Sequence, residues 1–254
     1  MNKKIELFNA LEIETQSRCN RRCEGCLRNS YPDKKAVESW FNVNYLPTED
    51  IERIMKQSLE IGFSGRVCLS HYDESLMDPR IADLGRMAKS LGFSHVYIGS
   101  NSDFLTAEMA RDLDGAFDEI VFALYVPESH YEKRAKWIQS LFKKTQPRIR
   151  RGSHIITHYS PLAYNAYDAI IKTYQNNTCI WPATNSMIIN HRGDMMMCCD
   201  DMPGHFDLGN IKDHTIEELW YGEKHQDYVM ALSKPGGRAI HPHCMCCPRP
   251  GNNM

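Results

Sequence analysis

The sequence predicts an α/β protein: a partial (β/α)5-6 TIM-like barrel followed by a small C-terminal cysteine-rich β-hairpin/helix domain. Three observations lead there. Short apolar strands alternate with amphipathic helices up to about residue 177, which calls for βαβ units and a parallel sheet. After residue 178 the texture changes to hairpin, glycine and proline signals. The 10 cysteines are gathered almost wholly at the two ends of the 254-residue chain. The expected division is therefore a barrel over 1–177 and an auxiliary domain over 178–254.

The elements follow in order. Leu11-Glu12-Ile13-Glu14-Thr15 alternates apolar and polar and reads as the first strand, with a polar cysteine loop directly after it. Pro47-Thr48 opens a helix that runs to about Gly62, with Ile51, Ile54, Met55 and Leu59 at helical spacing. Gly65–Ser70 is a short buried strand, and Arg80 to about Leu91 a helix closed by Gly92. Ser94–Gly99 is the third strand, and Thr106 caps a helix to about Leu113. Ile120–Leu124 is the fourth strand, followed by a helix near Glu132–Phe142. The fifth strand is placed at His154–Thr157, with a helix around Ala166–Tyr174 after it. Ser186–Asn190 and Met195–Cys198 flank His191-Arg192-Gly193-Asp194 as a hairpin, and Thr215 caps a helix over Ile216–Tyr221. In such an array the loops at the carboxyl ends of the strands carry the chemistry.

Composition narrows the function. Hydrophobic residues make up 42% and charged residues 24%, ordinary values that exclude a disordered chain or a coiled coil. With 30 Lys and Arg against 32 Asp and Glu the formal charge is −2, so no nucleic-acid partner is expected. No apolar run approaches the ~20 residues of a membrane span. The first residues, Met1-Asn2-Lys3-Lys4-Ile5-Glu6, lack the apolar core of a signal peptide. The expectation is a cytoplasmic protein without membrane contact. In that reducing compartment, clustered cysteines point to metal or redox chemistry rather than to disulfides.

Cys19, Cys23 and Cys26 form C-x3-C-x2-C directly after the first strand. Three thiolates on one tight loop can hold three irons of a [4Fe–4S] cluster and leave the fourth iron open. An open iron can take a small molecule through an amino and a carboxylate group. A zinc site is the rival, but zinc wants a fourth ligand nearby and the next histidine, His71, is distant in sequence. The motif resembles that of the radical S-adenosylmethionine superfamily. The resemblance implies that Glu74, in Tyr72-Asp73-Glu74-Ser75 after the second strand, holds the amino group of the cofactor. Asp73 and Ser75 depart from the glycine and proline usual there. Ser100-Asn101-Ser102 after the third strand takes the place of a polar turn near the ribose. Gly25 stands where the family usually has an aromatic residue, so one adenine contact is made differently.

The second group, Cys179, Cys198, Cys199, Cys244, Cys246 and Cys247, resembles the auxiliary-cluster domains of that superfamily, termed twitch or SPASM. Gly193 before Cys198, Leu208-Gly209-Asn210, and Thr215-Ile-Glu-Glu-Leu-Trp220 are part of the likeness. The hairpin glycine favours Cys198 over Cys199, and C-x2-C favours Cys244 and Cys247 over Cys246. The implied ligands of a second [4Fe–4S] cluster are Cys179, Cys198, Cys244 and Cys247, with a four-cysteine zinc site as rival. Cys68 lies in a strand and reads as a core thiol.

The resemblance implies cleavage of S-adenosylmethionine to a 5′-deoxyadenosyl radical, removal of a substrate hydrogen atom, and electron transfer to the auxiliary cluster: a dehydrogenase-like oxidation. One member of similar length and layout oxidises a secondary alcohol of an aminocyclitol and carries Arg-Gly-Gly near the fifth strand. With that strand at 154–157, the stretch ends His158-Tyr159-Ser160-Pro161 and has no such arginine. His158 and Tyr159 are then candidate proton acceptors or substrate contacts. The expected substrate is a small sugar- or aminocyclitol-like molecule, and the electron donor a flavodoxin- or ferredoxin-type protein. The alternatives are a peptide- or protein-modifying enzyme, a redox-neutral radical epimerase or lyase, and a non-enzymatic zinc-binding module.

Overall fold

A computed structural model describes residues 4–23, 26–30, 34–42, 45–152, 178–179, 186–201, 204, 206–245 and 247. The strands are β1 (Ala10–Ile13), β2 (Arg66–Cys68), β3 (His95–Ser100), β4 (Glu119–Leu124), β5 (Gln146–Arg151), β6 (Ser186–Ile189) and β7 (Met195–Met196). They form one 7-stranded sheet in the order β5-β4-β3-β2-β1-β6-β7. Every neighbouring pair is parallel except the β6–β7 hairpin. The fold is therefore mixed α/β and of the partial-barrel type, with the sheet left open at β5 and β7.

The alternation seen in the sequence becomes two sheet faces of different chemistry. Leu11, Val67 and Val96 are neighbours across β1, β2 and β3 and are fully buried. Glu12, Cys68 and Tyr97 are the next residues along and form the opposite row. The apolar row joins a core with the helices α3 (Thr48–Glu60), α4 (Ile81–Ser90), α5 (Ala107–Leu113) and α6 (Glu128–Leu141). The polar row leads to the functional cavity. Local signals hold where the sequence showed them: the Thr106 hydroxyl accepts from the Met109 amide at the start of α5. Thr215 and Glu218 make a reciprocal capping box at the start of α7 (Ile216–Trp220).

Three features differ from the sequence expectation. The fifth strand is Gln146–Arg151, earlier in the chain than expected. The stretch first assigned to it, His154–Thr157, and the helix expected at Ala166–Tyr174 lie outside the described residues. β5 has one neighbour in the sheet and a mostly exposed sequence, Gln-Pro-Arg-Ile-Arg-Arg, so it carries no run of apolar alternation. The cysteine loop is less irregular than expected: α1 (Leu27–Ser30) starts immediately after Cys26, and α2 (Lys34–Trp40) follows. Near the C-terminus, α8 (Glu223–Leu232) and α9 (Pro242–Met245) frame the last cysteines.

The C-terminal hairpin is not a separate appendage. β6 pairs with β1 over four residues, Ala10 to Ile13 against Ser186 to Ile189. Gly193 turns the hairpin at φ +87°, where a Cβ would stand 2.7 Å from Ile211 Cγ1. Ile211, Ile216, Leu219 and Trp220 join the barrel core, and Trp220 Nε1 donates to the Glu6 carbonyl at 2.9 Å. A smaller core of Met197, Phe206, Val229, Leu232 and Cys244 lies under the last cysteines.

One buried ion pair locks the seam. Glu14 follows β1 and His191 follows β6, and their side chains are 1% and 0% exposed. His191 Nδ1 donates to Glu14 Oε2 at 2.6 Å, and Nε2 donates to the Trp40 carbonyl at 2.8 Å. With Glu14 ionised, both ring nitrogens face acceptors, the hydrogen-bond pattern of an ion pair. The other oxygen, Glu14 Oε1, accepts from the Tyr72 amide at 3.1 Å. Burial alone would raise the Glu14 carboxyl, but the hydrogen bonds and charge of His191 hold it below the usual carboxylate range. Replacing His191 with Leu leaves a buried carboxylate uncompensated and should cost about 3–5 kcal/mol in urea unfolding. In the native protein the Glu14 contribution is present above the ordinary carboxylate range. It should be lost as pH falls through the lowered folded value, read as a falling urea midpoint in acid that His191→Leu lacks.

Candidate active site

One cavity of about 390 Å³ opens at the carboxyl ends of the strands. Cys19, Cys23 and Cys26 all line it, as do Glu74, Ser100 and Asn101. The loop that carries the cysteines is tied down at several points. The Cys26 amide donates to the Cys23 carbonyl at 3.0 Å, which turns the chain into α1. Asn29 Nδ2 donates to the same carbonyl at 3.1 Å. Arg28 donates to the Tyr72 carbonyl at 3.3 Å and also to the Ser17 carbonyl, fastening α1 to the ends of β1 and β2. Burial pushes the Cys19 thiol up and the Cys26 thiol up to about 11. The nearby Arg28 charge opposes the rise at both thiols without cancelling it, so a bound metal centre would supply the further charge that makes them thiolates.

Glu74 is 2% exposed and held by three donors. Ser100 Oγ donates to Oε1 at 2.6 Å, the Leu76 amide to Oε1 at 3.1 Å, and the Asn101 amide to Oε2 at 2.7 Å. Burial raises this carboxyl above its usual value, and the three hydrogen bonds oppose the rise. A carboxylate so fixed in a cavity is suited to an ammonium group. Asn101 reaches the cysteine loop as well: its Nδ2 donates to Asn20 Oδ1 at 2.8 Å. Ser100 and Asn101 thus touch the carboxylate and the cysteine loop.

A second, small cavity of about 20 Å³ is lined by Cys179, Cys198, Cys244 and Cys247, together with Asp200, Arg238 and His243. The Cys179 amide donates to the Leu232 carbonyl at the end of α8 at 2.8 Å. Arg238 bonds the Cys247 carbonyl at 3.2 Å and the Thr178 carbonyl at 3.3 Å, linking the two ends of this group. Burial raises Cys198 and Cys244 strongly. Four thiols around one apolar-floored void are a donor set suited to a thiolate-bound metal centre that offers no open position.

The two cavities meet at adjacent residues. Cys198 lines the second, whereas Cys199 lines the first. Tyr72, also in the wall of the first cavity, donates its hydroxyl to the Cys199 carbonyl. Cys246 lies outside the described residues, as do His158, Tyr159 and Gly25. Cys68 is buried in β2, with its thiol pushed up to about 12 by burial, away from both thiol sets.

Sequence reasoning assigned no role in this cavity to several residues that line it: Glu12, His71, Tyr72, Tyr125, Arg150 and Cys199. Arg150 corrects an earlier inference. With β5 at Gln146–Arg151, the strand ends in Arg150-Arg151-Gly152, so an arginine is present where none was expected, and Arg150 lines the cavity. Glu12 could have been found from the first strand alone, since a carboxylate between Leu11 and Ile13 must occupy the other face.

Known proteins resemble this chain along most of its length. A profile of the radical SAM superfamily matches residues 13–152, and a profile of the SPASM iron–sulfur cluster-binding domain matches residues 179–248. The S-adenosyl-L-methionine-dependent 2-deoxy-scyllo-inosamine dehydrogenase of Niallia circulans is 23% identical over 250 residues, covering 95% of this chain and 93% of its own length. The crystal structure of BtrN in complex with AdoMet and 2-DOIA has TM-score 0.73 and 20% identity, covering 95% of this chain and 93% of that one. The crystal structure of Streptococcus suis SuiB bound to S-adenosylmethionine has TM-score 0.59 and 14% identity, covering 95% and 70%. No described helix is long and apolar enough to cross a membrane. Since the first profile alone spans more than half of its length, the chain belongs to the radical SAM superfamily, and it carries a SPASM iron–sulfur domain behind the barrel.

Proposed function

We propose that this radical SAM enzyme is a dehydrogenase that oxidises a secondary alcohol of a sugar- or aminocyclitol-like small molecule. One observation carries the reading. Cys198 and Cys199, adjacent in the chain, line different cavities, so the four-thiol site is one residue away from the cavity that contains Cys19, Cys23, Cys26 and Glu74. Such a layout suits an electron leaving a substrate for a closed cluster. The relative that acts on 2-deoxy-scyllo-inosamine supports the substrate class.

In this reading Cys19, Cys23 and Cys26 hold one [4Fe–4S] cluster, and Cys179, Cys198, Cys244 and Cys247 hold the other. Bound there, these groups and S-adenosylmethionine supply one-electron chemistry: reductive splitting of the cofactor, removal of a substrate hydrogen atom, and acceptance of one electron. Glu74 takes the ammonium of the cofactor, and Ser100 and Asn101 serve that site by fixing the carboxylate. Arg150 donates to substrate oxygens. A guanidinium offers donors and no acceptor, so it orients a hydroxyl and does not remove its proton. His158 and Tyr159 are proposed as further substrate contacts. Residues 1–177 and 178–254 act as the radical-generating and electron-accepting halves. A flavodoxin- or ferredoxin-type protein in the cytoplasm supplies the reducing electron.

The test is anaerobic reconstitution followed by incubation with S-adenosylmethionine and 2-deoxy-scyllo-inosamine deuterated at the reacting carbinol. Deuterium should enter 5′-deoxyadenosine as ketone forms; deuterium transfer without net oxidation would replace this reading by a redox-neutral one. Ala at Cys19, Cys23 or Cys26 should abolish cofactor cleavage. Glu74→Ala should weaken cofactor binding about ten- to hundredfold in equilibrium dialysis, the loss of a contact worth about 1.5–3 kcal/mol. Ala at Cys179, Cys198, Cys244 or Cys247 should remove roughly half of the iron, the share of one of two four-iron clusters. Slow 5′-deoxyadenosine formation should persist while ketone formation is lost. Cys199→Ala should retain its iron, measured by chelation assay.

A further inference from the structure

Oxidation of an alcohol removes a hydrogen atom, a proton and an electron, and the proton needs an acceptor in the cavity. His71 lines that cavity, and its side chain is 6% exposed. Its Nδ1 faces Glu12 Oε2 at 3.3 Å. Its Nε2 is buried and has no hydrogen-bond partner among the described residues. A buried nitrogen left unmatched costs free energy unless something else completes it. A carboxylate at Nδ1 favours the tautomer with the hydrogen on Nδ1, and in that neutral ring Nε2 presents a lone pair.

We propose that His71 is the catalytic proton acceptor, with Nε2 taking the hydroxyl proton of the substrate and Glu12 acting as its positioning residue. The inference rests on the dehydrogenase reading above. The balance is complete: the carbinol C–H bond is broken by hydrogen-atom loss to the 5′-deoxyadenosyl group. The O–H bond breaks as its proton passes to Nε2. The remaining electron would pass, as the C=O bond forms, to the cluster that Cys179, Cys198, Cys244 and Cys247 would hold. Burial alone would push the imidazole toward neutrality, but the carboxylate of Glu12, with Glu14 and Asp73 nearby, outweighs it and holds the imidazole above its usual value. Tyr72 packs edge-on against the ring, with centroids 4.5 Å apart. The arrangement follows the acid–base logic of a carboxylate that fixes one imidazole nitrogen so that the other reacts.

The experiment compares reconstituted wild type, His71→Gln, Glu12→Gln and His158→Gln with carbinol-deuterated 2-deoxy-scyllo-inosamine. His71→Gln should bind S-adenosylmethionine and transfer deuterium to 5′-deoxyadenosine within about threefold of wild type. Its ketone yield should fall about a hundredfold, the scale of a lost general base, and a substrate carbon radical should accumulate in freeze-quench electron paramagnetic resonance. Glu12→Gln should fall less, and nitrogen-15 histidine spectra without substrate should show its ring tautomer redistributed, whereas wild type shows Nε2 unprotonated. Ketone formation by His71→Gln at the wild-type rate overturns the inference alone, as does loss in His158→Gln with His71→Gln unaffected. Failure of wild type to transfer deuterium overturns the dehydrogenase reading and the inference with it.

Discussion

The Glu14–His191 pair is the contact on which the rest of the arrangement depends. Glu14 lies between the first strand and the loop of Cys19, Cys23 and Cys26, and His191 lies in the hairpin that leads to Cys198. A charged pair without solvent is costly to form and more costly to break, so it specifies one docking of the hairpin rather than adding much net stability. The parallel register of β6 on β1 and the Glu14 bond to the Tyr72 amide extend the same constraint. One carboxylate thereby holds the ends of three segments that meet at the cavity: β1, the loop after β2, and the C-terminal hairpin.

The sheet's two faces divide the labour. Apolar residues on one face pack the helices and make the barrel rigid, which leaves the opposite face free to carry Glu12 and Cys68 and, further along, Ser70, Ala123 and Arg150. Polar groups on that face would be expensive in a closed core. They are tolerated because they hydrogen-bond one another or face the cavity. Glu74 shows the principle: its carboxylate is deeply buried yet held by three donors, so it is ready for a cation without rearrangement.

Much of this was legible in the sequence, and the gaps have physical causes. The first four strands and their helices announce themselves because each has an apolar face with the correct period. β5 does not, because an exposed edge strand needs few apolar residues; Ile149 is its one aliphatic side chain. Misplacing that strand hid Arg150, so a single register error removed an arginine from the candidate site. The cysteine sets were legible from spacing, but Cys198 and Cys199 are alike in sequence. Only the turn after β7 decides which of them faces which cavity. His71 and Glu12 were missed because neither sits in a motif; they come together only when β1 and β2 pair.

The proposed function requires two metal centres of different character, one open beside Glu74 and one closed behind Cys198. The most direct measurement is Mössbauer spectroscopy of iron-57-reconstituted wild type titrated with S-adenosylmethionine. The account predicts about eight irons per chain in two cubane clusters, with the cofactor altering a single iron of one cluster and leaving the other unchanged. A single cluster, or a cofactor response from both, would contradict it.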